Sequence, residues 1–154
     1  MKRNIMITGS TDGIGRLTAA RLAKKGHAVY LHGRSDEKLD AAVSEVKSVS
    51  GIQNVSGFTA DLSNLDAVKH MAGKITSDLP EMDILINNAG ILKNWSSADK
   101  GADILYELAL SDAHGSMTGE YFDNDQGRYG LPHPDAVDTA KIERLIRVTE
   151  TLIS

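Results

Sequence analysis

The chain has 154 residues, with 17 Lys and Arg against 21 Asp and Glu, a formal net charge of −4, 41% hydrophobic residues and no cysteine. That length favours one domain able to bury about 68–70% of the surface its unfolded chain exposes, and the lack of cysteine excludes disulfides and thiolate metal sites. Acids interspersed with Lys and Arg argue against a nucleic-acid surface, and the apolar run Ile5-Met6-Ile7 is too short for a signal segment or a membrane span, so the expectation is a soluble cytoplasmic protein with neither nucleic-acid nor membrane partners.

Asn4 to Thr8 reads as a short strand ended by Gly9, and Gly13 to Lys25 carries Ile14, Leu17, Ala20 and Leu22-Ala23 at near-helical spacing before Gly26. His27 to Gly33 is β-rich, and Ser35 can cap a helix whose first turn holds Asp36 and Glu37. Asn54 to Ser63 reads as a third strand, followed by a helix with Leu65, Val68, Ala72 and Ile75 as its apolar stripe. Met82 to Gly90 is a fourth strand in which Ile84, Leu85 and Ile86 are consecutive, as suits a strand covered on both faces. Four strands linked by helices imply a parallel sheet with right-handed crossovers. Beyond Gly90 the rhythm changes. Ala98 to Ser111 reads as a helix despite Gly101, Ser116 to Phe122 as a short strand, Asp123 to Pro134 as a turn-rich loop, and Asp135 to Leu152 as an amphipathic helix with Ile142, Leu145, Thr149 and Leu152 on its apolar side. The expected fold class is α/β, a Rossmann-like doubly wound parallel sheet cut down to about four or five strands, forming a single domain over residues 1–154 with a cofactor half (1–93) and a C-terminal part (95–154).

The glycines of "TGSTDGIG" fall at 9, 13 and 15, where the first strand turns into the first helix. Gly9 permits a tight turn, Gly13 lets backbone approach a pyrophosphate, and Gly15 lets the helix pack closely. The helix start offers unpaired N–H groups and partial positive charge, to which the Ser10 and Thr11 hydroxyls add donors. The alternative is a turn whose glycines serve geometry alone. Arg34 lies nineteen positions after Gly15, at the end of the second strand, where a Rossmann unit carries the group facing the adenosine ribose. A guanidinium there pairs with a 2′-phosphate and favours NADP; a solvated Arg34 paired with Asp36 or Glu37 is the other reading, and Asp36 keeps NAD open.

"TGSTDGIG" (Thr8 to Gly15), "GR" (Gly33-Arg34), "DL" (Asp61-Leu62) and "NNAG" (Asn87 to Gly90), in that order, resemble the cofactor half of the short-chain dehydrogenase/reductase family. "SSADKGADILYELALSD" and "GSMTGEYF" are similar to the late helix and last strand of its retinol-dehydrogenase-like branch. The resemblance implies that Asp61 and Leu62 border the adenine, that Ile14, Asn88, Ala89 and Gly90 line the cofactor pocket, and that Asn87 holds the central strands together. It also implies an NADP-dependent carbonyl or alcohol oxidoreductase acting on a small substrate.

The family's catalytic Ser and Tyr-x-x-x-Lys are not found. Four residues after Tyr30, Tyr106, Tyr121 and Tyr129 stand Arg34, Leu110, Asp125 and His133, and a lysine at that place is what lowers the tyrosine pKa in the family's proton transfer. No catalytic residue is therefore assigned. Between Ile91 and Trp95 the chain steps from the fourth strand toward the late helix, omitting two crossovers, or roughly 60–100 residues at 30 or more per unit. The fourth strand is then expected to lie at a sheet edge, covered by the "GEYF" strand or by a second copy of the chain. The histidines at 27, 32, 70, 114 and 133 show no metal-ligand spacing, Asp123-Asn124-Asp125 reads as a polar turn rather than a calcium loop, and Trp95 as an apolar plug. Three functions follow: an impaired or inactive NADP-dependent oxidoreductase, a non-catalytic dinucleotide-binding module, or a deletion product without selected function.

Overall fold

The computed structural model describes residues 1–79, 81–90, 97–117, 120–123, 126–132 and 134–153, and these group into two compact units, Met1–Gly115 and Ser116–Ser154. Trp95, Asn124, Asp125 and His133 lie outside the described residues.

In the first unit the chain runs β1 (Asn4–Ile7), α1 (Gly13–Lys24), β2 (Ala28–Gly33), α2 (Asp36–Ser50), β3 (Val55–Thr59), α3 (Leu65–Asp78), β4 (Ile84–Ile86) and α4 (Ala98–Leu110), with a short 3-10 turn at Asp112–His114. The strands pair in parallel in the order β3-β2-β1-β4. Each helix begins on a polar cap: Asp12 accepts from the Gly13 amide, Ser35 from Lys38, Asn64 from Asp66 and Ala67, and Ser97 from Lys100. Such a cap contributes about 1 kcal/mol by satisfying amides that a helix start leaves without partners.

Strand alternation sends Ile5, Ile7, Val29, Leu31 and Ile86 to one face, where Ala19, Leu22 and Ala23 of α1 and Leu39, Ala42 and Val46 of α2 cover them. Met6, Tyr30 and Phe58 point to the other face, against Met71 of α3. The stripe that α3 presents is Ala67, Met71 and Ile75, and the expected Leu65 and Ala72 are exposed. Residues 67, 71 and 75 are one turn apart and meet the sheet together.

The expectation that β4 is covered on both faces is also corrected. Leu105, Tyr106, Ala109 and Leu110 of α4 pack with the Ile5 and Ile7 cluster, and Arg21 of α1 pairs with Asp99 at 3.0 Å and Asp103 at 3.4 Å. This places α4 beside α1, on the face to which Ile86 points. Leu85, in register with Met6, faces the α3 side and is 54% exposed.

In the second unit β5 (Tyr121–Asp123) pairs antiparallel with β6 (Arg128–Gly130), a 3-10 turn follows at Pro134–Ala136, and α5 runs Thr139–Ile153. Tyr121 and Phe122 of the expected "GEYF" strand therefore belong to a two-stranded hairpin with β6. Part of the expected loop is strand: Arg128–Gly130 pairs with Tyr121–Asp123, the Asp123 carboxylate accepts from the Gln126 amide at 3.0 Å, and Gly127 adopts φ +65°. The Phe122 and Tyr129 rings meet edge to face with centroids 5.3 Å apart. The last helix starts at Thr139, not Asp135, with the Asp138 carboxylate accepting from the Lys141 amide at 3.1 Å. Among the described residues no helix is long and apolar enough to cross a membrane.

Candidate functional site

In an open parallel sheet a ligand crevice forms beyond the carboxyl ends of the strands, where the strand order reverses. Here that point lies between β1 and β4, and the turn from Thr8 to Asp12 crosses it. Gly9 adopts φ +62°, and a Cβ there would stand 2.8 Å from the Ala89 Cα. Gly13 adopts φ +54° with nothing within 4 Å of its missing Cβ, so the head of α1 presents bare backbone to open space. The Ile14 and Gly15 amides beside it are among those for which a helix start provides no intrahelical acceptor. At Gly15 a Cβ would lie 2.6 Å from Asn88 Nδ2 and 2.7 Å from the Gly9 carbonyl oxygen. Its close packing is therefore against the turn and the residues after β4.

Those residues are latched to the turn by side chains. The Thr8 hydroxyl accepts from the Asn88 and Ala89 amides, both at 3.0 Å. Asn88 Nδ2 donates to the carbonyl oxygens of Thr8 and Gly9, again at 3.0 Å each. The strand-holding role expected of Asn87 thus belongs to Asn88, whose side chain turns inward; Asn87 is exposed. Ser10 is corrected as well. It is fully buried, donates its hydroxyl hydrogen to the Ile7 carbonyl at 2.8 Å and accepts from the His32 amide at 3.0 Å, so it braces the turn from behind and offers no hydrogen to a ligand.

All the other residues expected from sequence line one open cleft of about 800 Å³: the glycine turn with Thr11 and Ile14, then Arg34, Asp61 and Leu62, then Asn88 to Gly90. A second cleft, which shares Thr11, Asp12, Arg34 and Asp61 with the first, is bordered by Arg16 and Lys38. Arg16 is engaged by Glu45 at 2.7 Å and Asp12 at 3.6 Å. The expected alternative pairing of Arg34 with Asp36 is not formed: Asp36 accepts from the Thr59 hydroxyl, and Arg34 stands exposed at the cleft. The Asp61 carboxyl is held below its ordinary range by hydrogen bonds from the Ser63 amide and hydroxyl, with a smaller contribution from the Arg34 charge.

Sequence reasoning passed over two residues that shape the site. Thr8 follows directly after the apolar strand β1 and His32 lies in the apolar strand β2, and both are buried. A polar residue at the carboxyl end of a buried strand was the available signal. Among the described residues no group of three His, Asp or Glu side chains is placed to hold a metal ion.

Residues 3–108 match the family model of the short chain dehydrogenases, and the chain belongs to that family, with retinol-dehydrogenase-like relatives. It is 33% identical to human retinol dehydrogenase 13 over 99 residues, 63% of this chain and 30% of that protein. Among solved structures it resembles an NAD+-bound xylitol dehydrogenase (TM-score 0.52, 30% identity, 58% of this chain and 34% of the other). It also resembles a short chain dehydrogenase of Escherichia coli CFT073 complexed with NADPH (TM-score 0.54, 33% identity, 60% and 39%). The chain spans less than half the length of the curated relatives it matches.

Proposed function

We propose that this chain binds a nicotinamide dinucleotide in the cleft at the head of α1, that it favours NADP, and that its hydride transfer between the cofactor and a small carbonyl or alcohol is impaired. The observation that carries the reading is the cradle at Gly13: a positive-φ glycine, with open space where a Cβ would be, at the start of a helix whose first residues, Gly13 to Gly15, line the same cleft. A pyrophosphate fits that chemistry, since it takes hydrogen bonds from the Ile14 and Gly15 amides and the favourable end of the helix dipole. Ala89 and Gly90 would bound the far wall, and Asp61 and Leu62 would border the adenine.

NADP preference rests on Arg34, which is exposed at the cleft and not paired with Asp36 or Glu37; its planar fork suits a 2′-phosphate. When bound, the nicotinamide would supply or accept hydride. The proton that must accompany hydride has no family-type carrier in this chain, since no tyrosine is followed four residues later by lysine. Xylitol dehydrogenase bound to NAD+ and the bacterial enzyme with NADPH support the class of cofactor.

Calorimetric titration with NADPH and with NADH tests the proposal. Saturable binding of both, tighter for NADPH, with Arg34→Ala costing NADPH about tenfold and leaving NADH unchanged, is the expected result. A folded protein that binds neither would overturn it, and binding without preference would remove Arg34 from the reading. Turnover on a panel of carbonyls and alcohols at rates usual for the family would refute the impaired activity.

A further inference from the structure

β2 is apolar apart from Tyr30 and His32, and His32 is 2% exposed. The ring sits between the glycine turn and the end of β3. Its Nδ1 accepts from the Gly9 amide at 3.1 Å, and its Nε2 lies 3.1 Å from the Ala60 carbonyl oxygen. A carbonyl can only accept, so these two partners assign one neutral tautomer, with the proton on Nε2 and the lone pair on Nδ1. The backbone of the same residue grips the next residue of the turn, donating to Ser10 Oγ at 3.0 Å and accepting from the Ser10 amide at 2.9 Å.

We propose that His32 is a positioning residue of the dinucleotide site: the neutral ring holds the Gly9 amide, keeps the turn in its positive-φ shape, and so sets how the head of α1 meets a phosphate. This rests on the cofactor reading above. A second proton on the ring would set an Nδ1–H against the Gly9 N–H, two donors face to face in a buried site, and the turn would have to move. The site is thereby linked to pH. Burial already holds the ring below its ordinary pKa, against the opposing pull of the Ala60 bond. Among the described residues, Asp12, Arg34 and Asp61 line the same cleft as His32, Arg16, Lys38 and Glu45 border the neighbouring one, and Asp36 is held by Thr59; the ring's hydrogen bonds go to Gly9 and Ala60.

The test uses NAD+, whose pyrophosphate stays charged over the range of interest, whereas a 2′-phosphate titrates near pH 6, about where such groups take their second proton. Affinity is measured by calorimetry from about pH 7.5 down to the pH at which nitrogen-15 spectra of the cofactor-free protein show the His32 ring charged. The wild type is expected to lose about fivefold to tenfold in affinity across that range, from the loss of one turn hydrogen bond. His32→Asn, which keeps an acceptor for Gly9 but does not titrate, should be flat. His32→Leu, checked for folding by circular dichroism, should bind weakly at every pH. A proton on Nδ1 in the neutral ring, wild-type affinity in His32→Leu, or equal wild-type affinity with the ring neutral and charged would each overturn the proposal. Failure of the wild type to bind any dinucleotide at neutral pH would instead overturn the cofactor reading on which it rests.

Discussion

Replacing Thr8 by Val keeps the shape of a buried side chain while removing the oxygen that accepts from two backbone amides, Asn88 and Ala89. Thr8 is 7% exposed, so the new methyl fills the old volume and no cavity term enters. A donor left without a partner in a buried setting costs about 1–3 kcal/mol. Asn88 is half-buried and Ala89 exposed, so water can satisfy the second amide and only the first bears the full penalty. The loss should be about 2 kcal/mol, a sizeable share of the roughly 5–15 kcal/mol of a typical domain. In melting temperature that is about 5–10 °C for a unit of this size. Urea unfolding followed by far-ultraviolet circular dichroism would show a lower midpoint with an unchanged slope. Thr8→Ser, which keeps the oxygen and loses one methyl, should cost only about 1 kcal/mol. A Val variant as stable as wild type, or a Ser variant as damaged as Val, would show that the hydroxyl latch does not hold β4 to the turn.

Two adjacent residues of β4 should respond oppositely. Leu85→Thr should change stability by no more than about 0.5 kcal/mol because that side chain is largely in solvent, whereas Ile86→Ala should cost about 2–5 kcal/mol by emptying a place in the core; equal effects in denaturant melts would mean that the α3 side of β4 is covered. Stability should also fall on acidification. His27 is held below its ordinary value near 6.5 by burial, then by Arg3 and the N-terminal charge, and His32 by burial, so the unfolded chain takes up these protons more readily than the folded one. Their contribution is complete above about pH 6.5 and is lost as pH falls from there through the folded-state values; denaturant midpoints that stay level or rise over that interval would contradict the assignment.

The local chemistry of the glycine turn was legible in sequence because each signal concerns neighbours along the chain. Glycines at 9 and 13 announce positive φ, Ser35 announces a cap, and unbroken apolar strands between helical stretches announce a parallel sheet. Gly9, Gly13 and Gly15 with Arg34 are read from the strand-to-helix turn and the end of the second strand, whereas Asp61 and Asn88 to Gly90 are placed beside them by the resemblance to the short-chain dehydrogenase/reductase family; the parallel sheet brings those strand ends to one cleft.

What only the tertiary structure decided concerns partners distant in sequence. Ser10 reads as a donor to a ligand until Ile7 and His32 are seen to engage its hydroxyl. Asn88 rather than Asn87 ties the strands because its side chain turns toward Thr8 and Gly9. Leu85 looks like a core residue by composition, and its exposure follows from α4 packing beside α1 on the opposite face. His32 carries no motif at all, and its place between Gly9 and Ala60 exists only once β1, β2 and β3 are aligned. Periodicity and turn chemistry act over a few residues, whereas the direction of a buried hydrogen bond is settled by which strand end lies opposite.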